Sequence, residues 1–214
     1  MRLSGRVVKQ DGTPHQEAQV LLLSPQFEPL GDAVLTDADG KYYISDDSGQ
    51  AAYMVAVKHY QDEFLEFWCA GMQASGVYQV NCVVDTLEVY GLNCFRVAGA
   101  YPGLFVYCRP MALHLFKQAQ QTGGHDIFPD IGPESVEVTI DGIKRELLTF
   151  NVVKEGIGEG KSMQALLLHV DWPDMPQDRT EHCLRLTIKD KAGNIGEAAR
   201  FFVLSQQQSI NPDV

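Results

Sequence analysis

The sequence predicts an all-β protein made of two consecutive antiparallel β-sandwiches. Three observations predict it: a period-two hydrophobic alternation through most of the chain, glycine-centred turns at short spacing, and a length of 214 residues that suits two small domains. The alternation comes in runs, because a strand sends successive side chains to opposite faces. Ala18, Val20 and Leu22 form one such run, Tyr53, Val55 and Val57 another, and Tyr78, Val80, Cys82 and Val84 a third. In the second half the runs are Val136, Val138 and Ile140, then Leu166, Leu168, Val170 and Trp172. The cleanest sets Leu184, Leu186 and Ile188 against Arg185, Thr187 and Lys189.

Turn chemistry separates these runs. Asp11-Gly12, Asp39-Gly40, Asp141-Gly142 and Gly193-Asn194 all supply residues that tolerate positive φ. Short strands with such turns between them point to sandwiches rather than βαβ units. The helical candidate is Met111–Gln121, closed by Gly123-Gly124; the same residues also read as a strand ending in a polar loop. A boundary falls after the Val77–Val84 run, giving domains at residues 1–86 and 87–205 and a flexible tail at 206–214. No Pro/Ser-rich linker marks the join, so the two domains are expected to abut.

Composition narrows the function. Hydrophobic residues make up 45% of the chain, enough for a core in each half. The net charge is −11, with both halves acidic, and there is no run of Lys or Arg. Nucleic-acid binding needs a cationic stripe to displace counterions, so no nucleic-acid partner is expected. An anionic membrane surface is disfavoured for the same reason. No stretch approaches the ~20 apolar residues of a membrane helix, so membrane insertion is not expected. Residues 1–8 enter strand-like sequence without the apolar core of a signal peptide. The chain therefore reads either as cytoplasmic or as a piece of a longer exported polypeptide.

Cys69, Cys82, Cys94, Cys108 and Cys183 have no zinc-ligand spacing. Cys94 and Cys108 are equidistant from Tyr101 in the turn Gly99-Ala100-Tyr101-Pro102-Gly103. A hairpin symmetric about Tyr101 would set the two opposite each other at a disulfide's reach; otherwise they are two buried thiols.

Residues 4–84 resemble the carboxypeptidase regulatory-like domain, a transthyretin-type β-sandwich. The resemblance is carried by Gly5-Arg6-Val7-Val8, Asp11-Gly12-Thr13-Pro14 and Ala18-Gln19-Val20. It continues through Thr36-Asp37-Ala38-Asp39-Gly40-Lys41-Tyr42 and Tyr53-Met54-Val55-Ala56-Val57. The family's usual Gly before Ala18 is Glu17 here. Residues 87–204 look like a bacterial immunoglobulin-like domain, on the closing run from Leu184 to Asn194 that leads into Phe201-Phe202-Val203. The resemblance implies a transthyretin-like sandwich followed by an Ig-like one. It also implies a non-catalytic module of a bacterial surface or secreted protein, with a glycan or a protein as partner and no cofactor.

The chemical motifs each have a plainer reading. Asp37 and Asp39 suggest a calcium loop, but position twelve counted from Asp37 is Ser48, so they read as turn formers. Asp171, Asp174, Asp178 and Glu181 surround Trp172-Pro173 without fixed ligand spacing and read as a solvated acidic loop. Tyr101, Arg109 and His114 faintly match the iron site of intradiol dioxygenases, which needs two tyrosines and a close His-x-His. His114 stands alone. The paired histidines and Tyr-Arg-Gly-Ser motif of purine-catabolic transthyretin-fold hydrolases are missing, as is a Gly-x-Ser-x-Gly elbow. His15, His59, His125, His169 and His182 sit singly.

Aromatic residues are the last candidates. Trp68 alternates with Glu66 and Phe64, opposite Leu65, Phe67 and Cys69. If the latter face is core, Trp68 is exposed near Tyr60 as a platform for sugar rings; otherwise the second domain covers it. Trp68, Tyr60 and Trp172 are the candidate binding residues, with no catalytic or metal-binding residue assigned. The readings that follow are a carbohydrate-binding or adhesion module, marked by an exposed Trp/Tyr patch, and a structural spacer with those aromatics in the interdomain seam.

Overall fold

The computed structural model describes residues 1–97, 102–158, 160–173 and 180–204. The first half contains β1 (Arg2–Val8), β2 (Gln19–Leu23), β3 (Val34–Leu35), β4 (Lys41–Ser45), β5 (Tyr53–Val57), β6 (Phe67–Ala70), β7 (Val77–Gln79) and β8 (Cys82–Val83). The second half contains β9 (Leu87–Phe95), β10 (Gly103–Ala112), α1 (Leu113–Thr122), β11 (Val136–Ile140), β12 (Ile143–Lys144), β13 (Leu147–Gly158), β14 (Lys161–Asp171), β15 (Glu181–Lys189) and β16 (Ile195–Val203). The protein is all-β, as its alternation predicts, and its strands pack as sandwiches.

Turn residues act where expected. Asp141 and Gly142 take φ of 53° and 76° between β11 and β12. Asp190 accepts the Asn194 amide at 2.9 Å and closes the β15–β16 turn. Asp37 Oδ1 accepts the amides of Asp39 and Lys41 at 2.9 and 2.8 Å, so the Asp37/Asp39 pair shapes a turn. Glu17, where the resembling family carries Gly, sits at φ 58°, which explains the preference for Gly there. The Met111–Gln121 segment divides: Met111 and Ala112 finish β10, and the helix runs Leu113–Thr122 to a left-handed cap at Gly123.

The described residues form three sheets. Two have four strands each: one joins β4, β1 and β7 with β8 also on β1, and the other has the order β13-β14-β10-β9. The third has eight strands in the order β12-β11-β15-β16-β6-β5-β2-β3 and draws on both halves of the chain. Its central join is the parallel pairing of β16 with β6, with Ala198 opposite Trp68, Ala199 opposite Cys69 and Arg200 opposite Ala70. Residue 86 lies between β8 and β9, and the sheet continues across that division in space. The halves expected to abut are hydrogen-bonded edge to edge.

Two cores lie on opposite faces of this long sheet. Phe67, Cys69 and Ala199 join the first, with Leu3, Val7, Tyr42, Ile44 and Tyr78 from the β4-β1-β7 sheet. Their chain neighbours Trp68 and Ala198 turn to the second, with Leu104, Val106, Leu166, Leu168, Leu184 and Leu186. Each fully buried side chain of this size contributes about 1.5–3 kcal/mol.

The β9–β10 register corrects the symmetric hairpin drawn about Tyr101. Cys94 pairs with Val106, and Cys108 lies opposite Leu166 on β14. All five cysteines are free thiols. Burial pushes the Cys94 thiol up to about 11. The turn residues 98–101 themselves lie outside the described residues, as do Asp174, Asp178 and the expected tail at 206–214.

Candidate functional site

The long sheet brings four aromatic rings together at the seam between the halves. Trp68 projects from β6 toward the second core, and Tyr53 of neighbouring β5 shares that face, since Val55 pairs with Trp68 and Tyr53 lies two residues away. The Tyr53 and Trp68 rings meet edge to face at 6.2 Å. Tyr90 arrives on β9 and meets Trp68 edge-on at 5.4 Å. Phe27 completes the set from the turn after β2, stacked on Tyr53 at 4.9 Å and 11°. These rings line a cleft of about 280 Å3, with Arg200 and Asn93 as its polar members.

Backbone geometry supports the cleft at two points. Phe27 has φ 62°, an unusual angle for a bulky side chain, and is held there by the Ser24 carbonyl and a Ser24–Glu28 turn. It remains 48% exposed, so the strain holds a large ring out toward solvent and over Tyr53. Gly91 has φ 66° at a bulge, where the β9–β10 register shifts between Tyr107 and Arg109. A left-handed glycine allows the strand to bend and turns Tyr90 toward Trp68.

Behind Trp68 lies a buried carboxylate. Glu88 of β9 is 1% exposed, and its oxygens accept Trp68 Nε1–H at 2.9 Å and the Glu66 amide at 3.3 Å. Burial, and then the charge of Glu66, raise the Glu88 carboxyl to about 8. Burial alone raises Glu66 to about 7. The Glu88 bond fixes the plane of the Trp68 indole. On the far side of Tyr90 the Arg109 guanidinium lies 5.1 Å from the ring centre and pairs with Glu155 at 3.2 Å.

The three residues singled out from sequence separate. Trp68 is half-buried in the cleft wall, packed against the second core and still lining open space. Tyr60 is 39% exposed and lies beside the carboxylates rather than in the cleft: burial, Glu88 and Glu66 push its hydroxyl up to about 12. Trp172 is 3% exposed, with His182 edge-on at 4.9 Å and the Arg145 guanidinium 5.7 Å from its ring, and so has no face free to stack on a ligand. Phe27, Tyr53, Tyr90 and Glu88 escaped the sequence reading. Only an apolar ring inside the turn Ser24-Pro25-Gln26-Phe27-Glu28-Pro29 signals one of them.

His15, His182, His59, Asp171 and Glu181 have structural partners. His15 is buried edge-on to Phe64, its Nε2 at 3.0 Å from the Val84 carbonyl, and burial lowers its pKa. His182 Nδ1 meets Asp141 at 2.7 Å, and His59 Nδ1 meets Glu63 at 3.0 Å. Asp171 accepts the Glu146 amide, and Glu181 accepts the Tyr78 hydroxyl. Among the described residues, no three His, Cys, Asp or Glu side chains are grouped to hold a metal. No helix there is long and apolar enough to cross a membrane.

No protein-family model matches the chain, and no curated protein matches it. Among solved structures, the chain is similar to the major pilin subunit BcpA of Bacillus cereus at 12% identity and a TM-score of 0.28, covering 94% of this chain and 68% of that one. It is also similar to a DUF3823 family protein from Bacteroides ovatus at 11% identity and a TM-score of 0.31, covering 92% of this chain and 97% of that one. Likenesses this low carry no functional argument.

Proposed function

We propose that the chain is a non-catalytic binding module whose cleft stacks a sugar ring between Trp68 and its aromatic neighbours. One observation carries the reading: Phe27, Tyr53, Trp68 and Tyr90, from four separate segments, meet around one open cleft. Apolar C–H faces of sugars fit such π surfaces, and the Glu88 bond holds the indole in place before any ligand arrives. The cleft is slightly below the ~300–1,000 Å3 of sites for drug-sized ligands, and it suits one or two sugar rings. The Glu66/Glu88 pair favours binding over catalysis, because Glu88 is sealed from solvent and its oxygens are taken by N–H donors.

We further propose a carboxypeptidase regulatory-like domain at 1–86, an Ig-like domain at 87–205, and a bacterial surface or secreted setting. The separate cores on the two faces of the long sheet support the two-domain division. A glycan-array screen of the purified chain beside Trp68→Ala tests the function. Binding lost in the variant supports it. A clean negative from folded protein would move the weight to a rigid spacer, which the continuous eight-stranded sheet favours.

A further inference from the structure

Among the described residues, Arg200 is the one charged side chain lining the cleft. It projects from β16, next to Ala199 and opposite Ala70 on β6. Its guanidinium is poorly engaged: Nη1 reaches the Leu92 carbonyl at 3.4 Å, the Cys94 thiol lies beside it, and Nε is buried without a hydrogen-bond partner. None of the ion pairs found among the described residues includes Arg200. A backbone carbonyl at that distance is a weak acceptor, and the positive charge has no matching negative one in the cleft.

Asn93 is a second non-aromatic polar wall residue, its Oδ1 accepting the Cys94 amide at 2.9 Å, and among the described residues its NH2 has no hydrogen-bond partner. Arg200 and the Asn93 amide therefore offer donors beside the stacking surface, while the Tyr53 and Tyr90 hydroxyls of the aromatic wall both donate and accept. Donors of this kind match an anion attached to a ring. The chain as a whole is at −11 and repels anions at long range. Beyond about 8–10 Å that repulsion is screened at ordinary ionic strength, so the local guanidinium decides the contact.

We propose that the cleft binds a sugar bearing a carboxylate, a uronic acid, with its ring on Trp68 and its carboxylate on Arg200; this rests on the stacking reading above. A guanidinium donates well-matched, charge-assisted bonds to a carboxylate, which neutral sugar hydroxyls cannot equal. The Asn93 amide is placed to donate to a neighbouring ring oxygen. Arg109 does not compete for the anion, because Glu155 already pairs with it.

The test uses methyl uronides and the corresponding neutral methyl glycosides of gluco, galacto and manno configuration, titrated into the full chain and followed by calorimetry. One uronide is expected to bind about tenfold tighter than its neutral counterpart. Arg200→Gln should erase that preference, leaving the uronide and its neutral counterpart with equal affinities, whereas Trp68→Ala should abolish binding of both. If Arg200→Gln fails to fold, the exposed Asn93→Asp change places a carboxylate in the same wall and should erase the preference equally. Equal affinities for the charged and neutral partners, or a preference that survives these changes, overturns the uronate proposal and leaves the stacking reading standing. Failure of all the sugars to bind overturns both.

Discussion

The two tryptophans make the sharpest internal comparison. Each belongs to a run of alternating residues, and each packs against the second core. Trp172 is 3% exposed, walled in by His182, Phe202 and Arg145. Trp68 is also ringed by aromatic neighbours, yet they surround open space. The difference lies in what faces each ring. Trp172 leaves β14 inside its sheet, where β15 and β16 lie across from it, whereas Trp68 lies beneath β9, the edge strand of that sheet. An aromatic ring at the rim of a sandwich becomes a surface; the same ring one layer inside becomes core.

The comparison can be broken first at Trp172. Trp172→Ala should lower unfolding free energy by about 3–5 kcal/mol in denaturant titration, with sugar affinity retained wherever the variant is folded. Trp68→Ala should have the opposite profile: loss of ligand binding on the glycan screen, with a stability cost nearer about 2 kcal/mol for a half-buried ring. Similar profiles for the two variants would erase the distinction between wall and core.

Glu88 sharpens the contrast through pH. Its folded carboxyl is raised to about 8 and that of Glu66 to about 7, both above the unfolded value of 4.5. The folded state therefore holds more protons across that window, and these two groups stabilise the fold when protonated. Their contribution is full below about pH 4.5 and falls as pH rises toward 8, each tenfold difference in proton affinity between the folded and unfolded chain being worth about 1.4 kcal/mol. Thermal melts from about pH 5 to 8 should show Tm falling, and Glu88→Gln should flatten the slope while its side-chain oxygen still accepts Trp68 Nε1–H. An unchanged slope in that variant would show that Glu88 does not titrate in this range.

Tyr60 carries the smallest expected effect. It lies outside the cleft, so Tyr60→Phe should shift sugar affinity by less than about twofold and stability by no more than about 0.5 kcal/mol. A large loss of affinity would extend the binding surface past Glu66.

Much of the fold was legible residue by residue. Leu184, Leu186 and Ile188 are each fully buried, and the Asp-Gly turns take the positive angles their composition anticipates. The site was less legible. Period-two reading makes Glu88 a solvent-facing position, because its neighbours Leu87 and Val89 claim the core face; the seam covers the other face as well. Phe27 sits in a turn, where no periodicity operates, and its role comes from a backbone angle that its own side chain disfavours.

Strand class, turn positions and which residues share a strand face follow from local sequence, because φ/ψ preference and side-chain alternation act over a few neighbouring residues. Tertiary structure alone decided that β16 lies parallel to β6, pairing Trp68 with Ala198 from the far end of the chain. Local preferences do not select a partner at that distance: burial of both faces of the shared sheet does. That single pairing set the two cores back to back, brought Arg200 beside the aromatic rings and left the cleft open at the edge of β9.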